Sequence, residues 1–147
     1  MSASMQDTTP DITIQIVGYI RSAVRELAEA ARQGPEGAPD AWLEVEPAFA
    51  RGLSGIAAGD RIVVLTWLHR ADRSVLEVHP RGNRTIPLTG VFATRSPHRP
   101  NPIGLHRVTV REISETRLRI GPIEAIDGTP VIDLKASLPD DTGSGQV

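Results

Sequence analysis

Short apolar runs separated by turn residues constrain the fold of this chain most strongly. They recur at intervals of roughly 8–15 residues, from "DITIQIVGYI" near the start to "PVIDLKA" near the end, with Gly, Pro, Asp and Asn between them. Ile12, Ile14 and Ile16 alternate with polar residues at the period of a β-strand. Convincing amphipathic helices are scarce. The spacing therefore favours an all-β barrel or sandwich, antiparallel or mixed, over βαβ units.

Individual segments refine this prediction. The segment "DRIVVLTWLHR" is the most apolar run of the chain and predicts a strand buried on both faces at Ile62 to Leu68. "SVLEVHP" and "TGVFAT" also predict strands, and "PAFARGLSGI" predicts one or two helical turns that begin at Pro47. Residues 21–34 have helical propensity locally, and we interpret them as a loop that contains a short helical turn.

The chain length and composition exclude several classes of protein. The 147 residues suit one domain, which we place at residues 11–139 between a disordered leader (1–10) and a flexible tail (140–147). The absence of cysteine excludes disulfides and thiolate metal sites, and the four histidines show no ligand spacing with carboxylates, so no metal is expected. We find neither a signal peptide nor a membrane-spanning run, which predicts a cytoplasmic protein. No G-x-G-x-x-G or P-loop supports a Rossmann-type nucleotide site.

Charge is distributed unevenly along the chain. Residues 78–111 contain no acidic residue, although the whole chain has a net charge of −2. The basic residues of this block are Arg81, Arg84, Arg95, Arg99, Arg107 and Arg111, with His79, His98 and His106. Arginine binds phosphate and carboxylate through its planar fork of donors. The block is therefore a candidate anion-binding face.

The segment "GVFATRSPHRPNPIG", Gly90 to Gly104, has an unusual composition. Its three prolines, at 97, 100 and 102, push each preceding residue towards extended backbone and make the segment stiff. Side chains on a stiff backbone suit preorganised binding. From composition alone, a structural turn and a ligand-binding loop both remain open.

The same segment resembles the signature of the TsaA-like family, of the tRNA N6-methyltransferase O type. "IVGYIRS", "LTWLHRADRSVLEVHPRG" and "EAIDGTPVIDLK" match the family in the same order, so the resemblance covers roughly residues 12–139. It implies a single-sheet mixed β-barrel with short helical turns that binds S-adenosyl-L-methionine (SAM) without a Rossmann sheet. It also implies a homodimer that methylates N6-threonylcarbamoyladenosine next to the anticodon of tRNA.

Position by position, the resemblance implies a cofactor site. Arg95, in the signature, would pair with the SAM carboxylate or with a substrate phosphate. The other implied cofactor contacts are Gln33 and Gly34 in a loop that closes over the cofactor, His69 and Arg70 at the end of the central strand, Leu105 just past the signature, and Asp127, Thr129, Pro130, Val131 and Ile132 around the "DGTPV" turn.

Methyl transfer to the implied acceptor nitrogen requires a further group near that nitrogen. A ureido-type nitrogen is a weak nucleophile, so a neighbouring group should weaken or take its proton. Asp133, Asp127 and His98 are the candidates, and His98 is discounted because the family tolerates a non-titrating aromatic residue there. We assign Asp133 to orient the nitrogen, and Asn101 to hydrogen-bond the base or the threonyl group.

Some residues depart from the family pattern. Ala23 stands where members commonly have proline, and "DLKAS" replaces an ending that contains an aromatic residue. Better-studied tRNA-modifying members also carry an extra C-terminal domain. Two alternatives therefore remain: a SAM-dependent methyltransferase of a small molecule, and a non-enzymatic RNA-binding β-barrel. The second is weakened because the chain has five aromatic residues, two of them in strongly apolar strands, whereas RNA readers rely on exposed aromatic platforms.

Overall fold

The architecture is a closed six-stranded β-barrel, described here from a computed structural model. The structure describes residues 11–25 and 39–139. The strands in chain order are β1 (Gly18–Arg21), β2 (Ala41–Val45), β3 (Arg61–Trp67), β4 (Glu77–Val78), β5 (Thr89–Gly90), β6 (Ile103–Ser114), β7 (Arg117–Gly121) and β8 (Pro130–Ala136). The barrel order is β1-β2-β7-β6-β3-β8, and β4 and β5 form a separate two-stranded sheet. The predicted all-β barrel is confirmed, and its described strand pairs are antiparallel throughout rather than mixed.

The helices in the described residues are short. One 3₁₀-helix, Pro47–Leu53, begins at the predicted proline, and two single turns occupy Pro80–Gly82 and Val91–Ala93. Among the described residues, no helix has both the length and the apolar character required to span a bilayer.

The core fills the interior of the barrel with alternate side chains. Ile20, Leu43, Val64, Leu118 and Ile120 are fully buried and come from four of the barrel strands, β7 supplying the last two. This alternation follows from the period of two in a β-strand, whose successive side chains point to opposite faces. Burial of these side chains is the main force that closes the barrel.

Three strand predictions need correction. The segment Ile62–Leu68 is not buried on both faces: Val63 and Leu65 are only half-buried because they point away from the barrel interior. The first strand begins at Gly18, where its pairing with β2 and β8 begins, and Ile12 lies before the paired residues and is 84% exposed. "SVLEVHP" and "TGVFAT" contribute only the two-residue strands β4 and β5.

The two ends of the barrel differ. Where β3 ends and β8 begins, the β3–β4 connection and the loop before β6 cover the opening. At the opposite end, the 3₁₀-helix Pro47–Leu53 lies beside a second cavity of about 1160 Å³. The first end carries the chemistry-bearing residues that we describe next.

Candidate functional site

A cleft of about 1290 Å³ opens at the end of the barrel where β3 stops and β8 starts. Its walls come from the β3–β4 connection, the segment that contains Arg81, the proline-rich loop and the turn before β8. Of the predicted site residues, the structure brings together His69, Arg70, Arg95 and Thr129 as lining residues of this cleft. They come from three separate parts of the sequence, so the fold itself assembles the cleft.

The proline-rich loop is docked onto the β3–β4 connection. Arg73 Nε donates to the carbonyl oxygen of Pro100 at 2.7 Å, and its Nη2 donates to Asn101 Oδ1 at 3.2 Å. The backbone N–H of Asp72 donates to His98 Nδ1 at 2.9 Å. Asn101 therefore holds the loop in place and does not line the cleft.

Arg95 is the unpaired cation of this loop. Its side chain is exposed at the cleft, and within the described residues it makes no hydrogen bond or ion pair. Arg81 and Arg84 line the same cleft. The acidic lining residues are Glu77 and Glu124. The predicted anion-binding block thus supplies three arginines to the cleft.

His69 and Arg70 follow β3 directly. Burial lowers the pKa of His69 below its ordinary value, and the neighbouring charge of Arg70 adds to this effect. The ring is therefore neutral at neutral pH and offers one donor and one acceptor. Arg70 Nη1 donates to the carbonyl oxygen of Arg25 at 3.0 Å, which ties the β3 end to the chain that leaves β1.

The turn before β8 is held by backbone hydrogen bonds to β1. Gly128 has a φ of +85°, a left-handed conformation that favours glycine, and its N–H donates to the carbonyl oxygen of Ile20 at 2.7 Å. Asp127 accepts from the N–H of Ser22 at 3.0 Å and from Arg25 Nη1 at 3.0 Å. Thr129 is buried at the base of the cleft. Asp127 therefore fixes the turn instead of lining the cleft.

Several other predicted residues lie elsewhere. Val131 is buried in the core, and Pro130 and Ile132 are half-buried along β8 without lining the cleft. Leu105 on β6 pairs with Leu65 and is also outside the cleft lining. Gln33 and Gly34 fall outside the described residues.

Asp133 is distant from the cleft along the barrel axis. It lines the second cavity at the opposite end, where its Oδ2 lies 3.5 Å from Lys135 Nζ. The structure therefore does not bring Asp133 next to Arg95. Its assignment to the acceptor nitrogen stays a prediction.

Sequence reasoning missed Glu124. This residue lines the cleft, and its Oε1 is buried without a hydrogen-bond partner in the described part of the chain. Burial raises the pKa of its carboxyl group. A buried carboxylate oxygen without a partner is costly unless a ligand supplies a donor. An acidic residue between apolar neighbours, as in "GPIEAIDG", is the signal that could have identified it.

We expect Glu124→Gln to stabilise the free protein at neutral pH and to weaken ligand binding. Burial raises the folded-state pKa of the wild-type carboxyl group, so its ionised form destabilises the fold above that pKa, and glutamine removes the penalty. The gain should shrink as the pH falls and the wild-type carboxyl group becomes protonated. Thermal unfolding between pH 4 and pH 8, and SAM titration, measure the two effects.

Two results would contradict this expectation for Glu124. One is a variant that is less stable than the wild type at neutral pH. The other is SAM affinity equal to that of the wild type, because loss of a hydrogen bond to a charged group is expected to weaken binding by about 10-fold or more. Glu77→Gln is the matched control, since Glu77 is exposed in the same cleft.

Comparisons with known proteins agree on one family. Residues 19–141 match the tRNA-methyltransferase O N-terminal domain family. A probable S-adenosyl-L-methionine-binding protein of Methanocaldococcus jannaschii is 47% identical over 97 residues, which cover 63% of this chain and 77% of the relative. Another protein of that description, from Methanothermobacter thermautotrophicus, is 41% identical over 125 residues, which cover 85% of this chain and 89% of the relative.

Solved structures give the same result. A crystal structure of TrmO from Pseudomonas aeruginosa matches with a TM-score of 0.65 and 30% identity over 93% of this chain. A second TrmO crystal structure matches with a TM-score of 0.68 and 31% identity. The match spans 62% of the length of each of these solved chains.

Proposed function

The chain belongs to the tRNA-methyltransferase O N-terminal domain family, whose members are SAM-dependent methyltransferases, and on this premise we propose that it methylates N6-threonylcarbamoyladenosine next to the anticodon of tRNA. The cleft beside β3 and β8 is the proposed site. The observation that carries the proposal is that one cleft contains both an arginine without a partner in the described residues, Arg95, and a carboxylate oxygen without a partner, Glu124 Oε1.

The residues of the cleft fit SAM. The methionine end of SAM carries a carboxylate, for which the unpaired guanidinium of Arg95 is a suitable partner. SAM also carries an ammonium group and ribose hydroxyls, and each of these can donate to Glu124 Oε1. His69 and the backbone around Thr129 offer further polar contacts in the same cleft. Gln33 and Gly34 remain proposed contacts of the loop that closes over the cofactor.

In the reaction, SAM supplies a methyl group activated by its sulfonium. The residues of this chain hold the donor and the acceptor in line, and such positioning supplies much of the acceleration. The neutral ring of His69 adds no positive charge beside the sulfonium, and Glu124 Oε1 is an acceptor in the same cleft. Asn101 and Asp133 are proposed to act on the acceptor nitrogen. Asp133 would reach it only from a second protomer, so a homodimer is part of the proposal.

The arginines of the cleft favour a nucleic-acid acceptor over a neutral small molecule. Arg81 and Arg84 are exposed and unpaired within the described residues, and they line the same cleft as Arg95. Unpaired arginines suit the phosphates of an RNA backbone. A tRNA substrate also accords with the proposed location in the cytoplasm.

Nucleoside analysis tests the proposed acceptor. In tRNA from a strain that lacks this protein, we expect loss of the methylated form of N6-threonylcarbamoyladenosine, which the wild-type gene should restore. An unchanged nucleoside profile, together with SAM binding by the purified protein, would point to a small-molecule acceptor. Absence of SAM binding in calorimetry would leave only the RNA-binding barrel.

A further inference from the structure

The side chain of Arg99 turns back onto its own loop. Its Nη2 donates to the carbonyl oxygen of Val91, and both Nη atoms lie 3.3 Å from the carbonyl oxygen of Thr94. Nη1 also donates to the carbonyl oxygen of Ser96 at 3.3 Å. One planar guanidinium thus joins three backbone carbonyls. The acceptors of its hydrogen bonds are all neutral carbonyls, so its role here is to organise backbone.

These carbonyls belong to residues on both sides of Arg95 in the sequence. The carbonyl of Thr94 belongs to the peptide group that precedes Arg95. The peptide group that follows is held by the N–H of Ser96, which donates to Thr94 Oγ1 at 3.2 Å. Both peptide groups next to Arg95 are therefore fixed, whereas its side chain is free within the described residues.

The hydrogen bonds of Arg99 are anchored in the core through Val91. Val91 is 1% exposed, and its N–H donates to the carbonyl oxygen of Leu76 at 2.9 Å. The contacts of Arg99 therefore connect the backbone at Arg95 to a buried residue. A loop held in this way loses little conformational entropy when a ligand binds.

We propose that Arg99 is a positioning residue that presents Arg95 to the carboxylate of SAM by fixing the backbone on both sides of it. The inference rests on the proposed function, because it assigns Arg95 to that ligand. Lysine cannot replace Arg99, since a single ammonium group does not reproduce the planar fork that spans three carbonyls. The binding energy of Arg95 then depends on Arg99, although Arg99 does not line the cleft.

A double-mutant cycle tests the proposal. We expect Arg99→Lys to raise the Kd for SAM by about 10-fold, because small displacements of a positioned group weaken its contacts strongly. In an Arg95→Ala background the same substitution should cause little further loss. Thr94→Val, which keeps the side-chain shape and removes the contact to the Ser96 N–H, should act in the same direction with a smaller effect. It carries the test if Arg99→Lys does not fold.

Two controls separate positioning from general loss of stability. Arg73→Lys loosens the other half of the loop, at Pro100 and Asn101, so its effect on SAM affinity should depend less on Arg95. Arg51→Lys, at the far end of the barrel, should leave the Kd unchanged. Every titration is made well below the unfolding temperature of each variant.

The possible results are distinct. Wild-type SAM affinity in Arg99→Lys overturns the inference, and so does a loss that is equally large with and without Arg95. In both cases the proposed function stands, because the wild type binds SAM. A wild-type protein that does not bind SAM overturns the proposed function and this inference together.

Discussion

Replacing Arg95 with alanine is expected to weaken SAM binding by about 10- to 100-fold while leaving the free energy of unfolding nearly unchanged. A hydrogen bond to a charged group contributes about 1.5–3 kcal/mol, which corresponds to that range. Stability should not change because the exposed Arg95 side chain has no partner in the described part of the protein. Isothermal titration with SAM and chemical denaturation measure the two quantities.

Matched variants sharpen the test of Arg95. Arg95→Lys keeps the charge but loses the fork, so its affinity should lie between those of the wild type and Arg95→Ala. Arg51→Ala removes an exposed arginine at the other end of the barrel and should bind SAM like the wild type. Unchanged affinity in Arg95→Ala would show that the site has been placed wrongly.

Gly18→Ala should lower the free energy of unfolding by about 2–3 kcal/mol, the upper range for overpacking. An added Cβ would lie 2.4 Å from the carbonyl oxygen of Glu44 and 3.1 Å from the Cα of Val45. Both atoms belong to the backbone of β2, which cannot move aside like the end of a side chain. Strand β1 must therefore shift relative to β2.

The control for Gly18 is Gly52→Ala. An added Cβ at Gly52 meets no atom within 4 Å, so the substitution should be neutral or stabilise by about 0.4–1 kcal/mol. Urea denaturation of both variants gives the comparison. Equal stability of Gly18→Ala and the wild type would mean that β1 and β2 do not approach each other as closely as the structure has them.

The fold was largely predictable because strand patterns are local. The apolar runs "DITIQIVGYI" and "PVIDLKA" are properties of neighbouring residues, and β1 begins within the first whereas β8 spans the second. The failures depend on partners that the pattern does not reveal. Ile12 has the alternation of a strand but lies before the residues that pair with other strands. Glu77–Val78 is short because it pairs only with β5 in the described residues.

The candidate site was predictable in part. His69 and Thr129 line the same cleft because one follows β3 and the other precedes β8, and the proline-rich loop before β6 brings Arg95 to that opening. Leu105 and Asp133 do not join them. The direction of each side chain depends on register, and β3 and β8 contain a register shift next to Leu65 that the sequence does not reveal. Glu124 needed the structure because its missing hydrogen-bond partner is a property of burial.

The turn around Gly128 has a consequence for how the protein responds to its ligand. β1 and β8 pair directly only at Gly18 and Tyr19 in the described residues, so the backbone bonds from this turn to Ile20 complete the junction between the first and last strands of the barrel. A ligand that binds to the turn should therefore also stabilise the junction between β1 and β8. Amide hydrogens of β1 should then exchange more slowly when the cleft is filled, so that occupancy at one end is transmitted along the wall of the barrel.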